Sequence, residues 1–200
     1  MSTRFIAQTG VIAAAYAAFT LVALLFLGGL AWGPVQFRIS EVLCILAMFT
    51  PAAVPGLTIG CVLANLINIA LSGTGMLGML DVVFGSLATL VGALWMRRFR
   101  ARPLLALAGP VLANALIVPA YLPILLQGLG FYTIPFTSVS LDGTWWAMYL
   151  FGLVSTGIGE AIILYVLGYP LWRALSKTAV FKGLEPAATD GRGSSQTTRS

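Results

Sequence analysis

The chain has 200 residues, of which 59% are apolar and only 8% are charged. About a quarter of positions carry charge in an average soluble domain, so this composition predicts an integral membrane protein. A membrane-crossing helix takes about 20 apolar residues, which leaves room for about five to seven crossings and no large soluble domain. Histidine is absent, which excludes the common imidazole-based metal, triad and proton-shuttle sites.

Charge and cysteine usage exclude further classes of function. The net charge of +5 would suit nucleic acid, but the basic residues lie at the ends of apolar runs, where they mark membrane topology. Cys44 and Cys61 lie in apolar surroundings without metal-ligand spacing. We therefore expect no nucleic-acid partner, no metal and no cofactor. The chain also lacks the Gly-x-x-x-x-Gly-Lys-Ser/Thr phosphate loop, so a partner or an ion gradient would have to power any active transport.

The apolar runs predict an all-α membrane protein with six transmembrane helices. The runs cover residues 10–32, 40–54, 56–72, 76–96, 104–127 and 144–172. The second run is the weakest because Pro51 and Pro55 limit it to a short helix, and a count of five helices is the alternative. No cleaved signal is expected, since the first run is too long for one.

Basic residues predict the orientation of the helices. They form one cluster between the fourth and fifth runs and another after the sixth. With six helices both clusters and Arg4 fall on one side, which the positive-inside rule makes the cytoplasmic side for both termini. A count of five that omits the second run would separate them. Residues 1–182 are predicted to form one membrane domain, and residues 183–200, which are small and polar, a disordered cytoplasmic tail.

Ionisable residues beside or within the apolar runs are candidates for a functional site, because an unpaired charge in hydrocarbon costs several kcal/mol. They are Arg38, Glu41, Asp81, Asp142 and Glu160. From the helical rise, Asp81 lies about 24 Å from Arg97, and Glu160 lies about 20 Å from Arg173. Both acids are thus predicted to lie between the middle of the membrane and its outer face.

Amide and aromatic side chains extend this predicted site. The polar ones are Gln36, Asn65, Asn68, Asn114 and Thr156, and the predicted aromatic lining is Trp32, Phe37, Trp145, Trp146 and Tyr149. Together they predict an acidic pocket that opens outward. Such a pocket would suit a flat solute with N–H donors or a positive charge.

Each candidate also has a purely structural interpretation. Arg38 and Glu41, three residues apart, could form an interfacial ion pair, and Asp81 could cap the fourth helix. The asparagines could hold helices together, and the tryptophans could be interfacial anchors. Glu160 is the hardest to explain in this way, because it lies well inside the sixth run.

Small residues form a second pattern, on the first helix. Ala13 and Ala17, and likewise Ala14 and Ala18, are four residues apart, which allows another helix to approach closely. This face could pack inside the bundle or dock on a partner protein. A similar stripe on the fourth helix, at Gly78, Asp81, Gly85, Ala88 and Gly92, predicts internal packing.

The sequence resembles the QueT family of queuosine-precursor transporters, which are substrate-binding S-components of energy-coupling factor (ECF) transporters. The matching stretches lie at residues 33–41, 56–66, 81–90, 157–160 and 168–171, together with Asn114. The most specific are Gly-Pro-Val-Gln-Phe-Arg-Ile-Ser-Glu at 33–41 and Asp-Val-Val-Phe-Gly-Ser-Leu-Ala-Thr-Leu at 81–90. The resemblance covers about residues 8–175 and does not extend to the tail.

The resemblance implies a six-helix protein of the bacterial plasma membrane that captures a 7-deazaguanine, such as preQ0 or preQ1, outside the cell. It would release the solute inward when docked on a transmembrane scaffold subunit driven by two ATPase subunits. In this class an Ala-x-x-x-Ala face on helix one contacts the scaffold, which maps onto Ala13, Ala14, Ala17 and Ala18.

For this solute, Glu160 or Glu41 would accept the guanine-like edge, since one carboxylate can take two adjacent N–H donors. Asp81 or the other glutamate would bind an aminomethyl group, and Arg38, Gln36 or an asparagine (Asn65 or Asn114) would donate to the carbonyl. A stand-alone proton-coupled transporter and an S-component for another vitamin or nucleobase are alternatives. An enzyme is not expected, because the chain has no nucleophile–base pair.

Overall fold

A computed structural model describes residues 2–27, 38–128 and 145–178. The regular structure of this part of the chain is entirely helical. We number six helices in chain order: α1 Thr3–Leu27, α2 Ile39–Phe49, α3 Ala53–Ser72, α4 Gly75–Arg98, α5 Pro103–Gly128 and α6 Trp145–Ser176. Five of them are long and apolar enough to cross a membrane, and α2 is shorter. The prediction of a six-helix membrane protein is confirmed.

Two helix boundaries differ from the sequence prediction. α1 begins at Thr3 rather than near residue 10, because the Ser2 hydroxyl accepts a hydrogen bond from the Phe5 backbone N–H at 3.3 Å. α2 ends at Phe49 rather than near residue 54. Thr50 is extended (φ −133°, ψ 137°), the conformation that a following proline favours.

Close packing between α1 and α3 depends on two glycines of α3. A Cβ on Gly60 would lie 2.7 Å from the Ala13 carbonyl oxygen and 2.8 Å from the Tyr16 Cβ. A Cβ on Gly56 would lie 2.9 Å from the Ile12 Cβ. The two glycines are one turn apart, so the backbones of α1 and α3 approach without an intervening side chain.

Glycines also receive the prolines of α5. A Cβ on Gly92 of α4 would meet the Cα of Pro110 at 2.8 Å, and a Cβ on Gly152 of α6 would meet the Cβ of Pro119 at 2.9 Å. The proline rings thus fit against helix surfaces that lack a side chain. The predicted small-residue stripe of α4 is buried, as expected for internal packing.

One end of the bundle collects the basic segments. At this end the Thr50 hydroxyl of the α2–α3 turn donates to Gln8 of α1 at 3.2 Å. Arg97 donates to the backbone carbonyls of Ala47 and Met48 at 3.4 Å each. Trp172, next to Arg173 of the second basic cluster, packs against the apolar core cluster that includes Ala47 and Met48. The N-terminus and both basic clusters therefore lie at the same end, as six helices require. We call it the basic end, and its cytoplasmic placement stays a prediction.

The long helices expose apolar side chains around the bundle. Leu25 and Phe26 on α1 are 81% and 83% exposed, and Leu71 on α3 is 70% exposed. Such side chains would be costly in water and are suited to lipid. The chain is a multi-pass membrane protein.

Candidate functional site

Polar side chains from all six helices, and from Arg38 just before α2, are buried inside the bundle. Glu41 and Asp81 are fully buried, Glu160 is 1% exposed and Arg38 is 6% exposed. Two helices depart from regular α geometry here: α4 has a π-helical turn at Asp81–Gly85, and α6 has one at Ile162–Gly168, directly after the turn that carries Glu160. π-Helical turns are often found at functional sites, where the extra residue redirects side chains.

Glu41 is the centre of a cluster in which both carboxylate oxygens accept hydrogen bonds. Its Oε1 accepts hydrogen bonds from the hydroxyls of Tyr16 at 2.5 Å and Thr89 at 3.0 Å. Its Oε2 accepts a hydrogen bond from the Cys44 thiol at 2.9 Å. These four residues join α1, α2 and α4, and both oxygens of the carboxylate are occupied. We call this group the Glu41 cluster.

Asp81 is the centre of a second cluster that keeps one oxygen open. Its Oδ1 accepts from the Arg38 guanidinium at 3.2 Å and from the Tyr121 hydroxyl. Asn65 of α3 donates to the Asp81 backbone carbonyl at 2.9 Å. The Asp81 Oδ2 has no hydrogen-bond partner among the described residues. The Asp81 cluster (Arg38, Asn65, Asp81, Tyr121) therefore has an acceptor available.

Glu160 is buried without the partners that Glu41 has. Its Oε2 has no hydrogen bond to any described residue, and the same holds for the Thr156 hydroxyl one turn earlier. Glu160 lies within electrostatic range of Glu41 and Arg38. On the neighbouring α5, Asn114 donates to the Pro110 carbonyl at 3.1 Å and leaves its own Oδ1 without a partner in the described part of the chain.

Gly85 marks where the polar groups of the Asp81 cluster converge. A Cβ on Gly85 would lie 3.3 Å from Asp81 Oδ1, 3.4 Å from Arg38 Nη1 and 3.4 Å from Asn65 Nδ2. Nearby in sequence, the Ser86 hydroxyl also lacks a hydrogen-bond partner among the described residues. The absence of a side chain at residue 85 keeps space beside three polar atoms.

Five of the seven predicted substrate-binding residues are linked to one another by hydrogen bonds or electrostatic interactions: Arg38, Glu41, Asn65, Asp81 and Glu160. All five are buried, and so is Asn114 on α5. Gln36, Trp32, Phe37 and Asp142 lie outside the described residues. A protein interior rarely buries so many polar groups with open hydrogen-bonding atoms, so the cluster is a candidate binding site.

Two structural interpretations of these residues are wrong. Arg38 forms its ion pair with Asp81, from another helix, and not with the nearby Glu41. Asp81 does not cap a helix, because it lies inside α4 and its carboxylate accepts from Arg38 and Tyr121. Asn65 does join helices, as its hydrogen bond to α4 shows. The side chain of Asn114 bonds within its own helix.

The tryptophans of the predicted aromatic lining lie at the surface of the described bundle. Trp145 and Trp146 are 41% and 67% exposed; Trp145 stacks on Tyr149 at the start of α6, and Trp146 meets both rings edge-on. Their role in lining a pocket stays a prediction. The aromatic residues that bond to the buried acids are Tyr16 and Tyr121, which were not among the predicted site residues. Each is a polar-tipped side chain inside a long apolar run, and that is the signal that would have found them.

The alanines predicted to contact a partner fall on two sides of α1. Ala13 and Ala17 are buried inside the chain, 4% and 8% exposed, and the Ala13 backbone lies against Gly60. They cannot form an external docking surface in this arrangement, since α3 covers that side of the helix. Ala14 and Ala18 are exposed. The partner prediction therefore narrows to Ala14 and Ala18.

The site can supply hydrogen-bond acceptors and a negative charge. The open acceptor atoms are Asp81 Oδ2, Asn114 Oδ1 and Glu160 Oε2, and the open donor is Asn68 Nδ2. Hydroxyls of Ser86 and Thr156 can act in either way. Within the described residues there is no group of three His, Cys, Asp or Glu side chains that could hold a metal ion. The geometry suits a small polar ligand.

Comparison with known proteins gives a family for this architecture. The family model for the QueT transporter matches residues 6–177. The queuosine precursor transporter QueT of Lactococcus lactis subsp. cremoris (strain MG1363) is 32% identical over 102 residues, which are 49% of this chain and 54% of that protein. The chain thus spans about half the length of this curated relative. No solved structure matches the chain. Because the family model covers the whole bundle, the chain belongs to the QueT family of transporters.

Proposed function

We propose that this chain is the substrate-binding subunit, or S-component, of an ECF-type transporter that takes up a queuosine precursor. The expected ligand is a 7-deazaguanine such as preQ1 or preQ0. Membership in the QueT family and the printed function of the Lactococcus relative support this proposal. The single observation that carries it is that α4, α5 and α6 each bury an acceptor oxygen that has no hydrogen-bond partner among the described residues.

The chemistry of the ligand fits these acceptors. A 2-amino-4-oxo pyrrolopyrimidine presents ring N–H and exocyclic amino donors on one edge, which carboxylate and amide oxygens accept. Asp81 Oδ2 and Asn114 Oδ1 are available for these donors, and Glu160 Oε2 is a third acceptor without a partner among the described residues. Asn68 Nδ2 is an open donor for the ring carbonyl. Arg38, already bound to Asp81, would position that acid.

Glu41 has a different role in this proposal. Hydrogen bonds from Tyr16, Thr89 and Cys44 occupy both of its oxygens. It would hold α1, α2 and α4 around the ligand without touching it. Of the two glutamates, Glu160 is therefore the one favoured to contact the ligand.

The partners complete the proposal. The exposed Ala14 and Ala18 of α1 would contact a transmembrane scaffold subunit, which two ATPase subunits would drive. A small-residue pair one turn apart lets another helix approach closely. Substituting Ala14 and Ala18 by leucine should block complex formation with the scaffold and leave ligand binding by the isolated subunit intact.

The test is a titration of the purified subunit in detergent with preQ1, preQ0, guanine and riboflavin, followed by heat or tryptophan fluorescence. Saturable binding of a deazaguanine and not of riboflavin is the expected result. Binding of riboflavin or another vitamin in place of the deazaguanines would contradict it. Uptake into liposomes tests the partners: uptake without any ATPase module would instead identify a stand-alone proton-coupled transporter.

A further inference from the structure

The distribution of charge along the chain leaves the candidate site short of cations. Between residues 5 and 96 the only lysine or arginine is Arg38, and residues 103–172 contain none. The same two stretches contain four acids: Glu41, Asp81, Asp142 and Glu160. Residues 28–37 and 129–144, which the structure does not describe, therefore cannot supply a second cation to the site.

The structure shows how the one cation is used. The Arg38 guanidinium lies 3.2 Å from Asp81 Oδ1, so its charge offsets that of Asp81. The donors to Glu41 are the neutral hydroxyl and thiol groups of Tyr16, Thr89 and Cys44. These bonds satisfy its oxygens but leave its charge in place.

Of the acids that the structure describes, Glu160 is the one whose Oε2 has neither a cation of its own nor a hydrogen-bond donor. Its Oε2 is buried and has no hydrogen-bond donor among the residues described. The charged groups that act on it are Glu41, a like charge, and Arg38, which Asp81 already engages. A buried carboxylate is stable only when a cation or several donors accompany it. A positively charged donor would supply both kinds of compensation.

We propose that the site selects a ligand carrying one positive charge, and that Glu160 binds the ammonium group of that ligand. This inference rests on the proposed function and sharpens it: the preferred deazaguanine carries a protonated amine on its side chain. Asp81 Oδ2 and Asn114 Oδ1 then remain for the N–H donors of the ring. A proton on Glu160 would balance the charge equally well, and in that case a neutral ligand would bind as tightly.

Two deazaguanines that differ only in the side chain separate these possibilities. The compound preQ1 carries an aminomethyl group, which is a cation at pH 7, and preQ0 carries a neutral nitrile on the same ring. Because a charge-assisted hydrogen bond is lost with the nitrile, we expect preQ1 to bind about 10- to 100-fold more tightly. Equal affinities would overturn the charge inference and leave the proposed function standing. If neither compound binds to folded protein, the proposed function fails and the inference fails with it.

Two variants then test whether Glu160 is the residue that distinguishes preQ1 from preQ0. Glu160→Gln keeps the size of the side chain and removes its charge, so the preQ1-to-preQ0 affinity ratio should fall to within about threefold of one. Thr156→Val, one turn away on α6, is the matched control: it removes an open polar atom without changing charge, and should leave the ratio unchanged even if both ligands bind less tightly. A preQ1-to-preQ0 affinity ratio in Glu160→Gln as large as that of the wild-type protein would overturn the inference. If this variant does not fold, the comparison of the two ligands on the wild-type protein still tests the charge preference.

Discussion

Glu41 and Glu160 are both buried carboxylates within electrostatic range of each other, yet they differ in their hydrogen-bond donors. Glu41 receives hydrogen bonds from three side chains on three helices, and its two oxygens are occupied. Glu160 has a buried oxygen with no donor among the described residues. Burial is therefore not what distinguishes the two glutamates. What distinguishes them is whether the protein itself fills the carboxylate's hydrogen-bonding positions.

The strongest test of this comparison replaces each glutamate by leucine and measures stability without ligand. Glu41→Leu removes the acceptor of the buried Tyr16 hydroxyl and of the Cys44 thiol, while Thr89 can still donate to the Gly85 carbonyl at 3.2 Å. It should lower the free energy of unfolding by about 3–5 kcal/mol. Glu160→Leu removes a carboxylate that has no donor at Oε2, and should leave stability unchanged or raise it. Unfolding of the detergent-solubilised protein by SDS measures both. Equal losses for the two variants would remove the distinction.

The contact that positions Tyr16 can be tested through the α3 glycines. Gly60→Ala would place a methyl group 2.7 Å from the Ala13 carbonyl oxygen, so α1 must move and unfolding should become easier by about 1–3 kcal/mol. Gly10→Ala, on α1 itself, is the matched control because its Cβ would meet nothing within 4 Å. Thermal unfolding in detergent compares the two. An equally large loss in Gly10→Ala would mean that the close α1–α3 approach does not limit stability.

Removing a single donor from the Glu41 cluster should have a smaller effect. Tyr16→Phe deletes the hydrogen bond to Glu41 Oε1 while Thr89 and Cys44 remain, so the expected loss is about 0.5–1.5 kcal/mol. The same change at Tyr165, a more exposed residue whose hydroxyl donates to the Leu104 carbonyl at 2.9 Å, should cost less. SDS unfolding of both variants gives the comparison. A larger loss at Tyr165 would argue against the structural role assigned to Glu41.

The smallest effect is expected at the exposed aromatic group. Trp146 is 67% exposed and lies outside the polar clusters, so Trp146→Ala should change ligand affinity by less than about twofold. The titration used for the wild-type protein measures this. A loss as large as that of Glu160→Gln would place Trp146 at the ligand after all.

Residues of the candidate site could be predicted from the sequence where they place a charge inside an apolar run. Asp81 and Glu160 stand out because a charge inside an apolar run needs an explanation. Tyr16 and Tyr121 are also polar-tipped residues inside apolar runs, but a hydroxyl is a weaker signal than a charge, and it reveals nothing about its partner. The four-residue spacing of the α1 alanines predicted close packing, but spacing alone could not decide which pair faces α3 and which is exposed.

The sequence by itself determined the six apolar segments, the common end of the basic clusters and the acids that lie between them, because hydropathy and charge are properties of single residues and short runs. Only the tertiary structure decided which acid is satisfied and which is open. The partners of Glu41 and Asp81 include residues 25 to 48 positions away along the chain, such as Tyr16, Thr89 and Tyr121. Such pairings depend on how helices pack against one another, through contacts such as Gly60 against Ala13, and no local pattern specifies them.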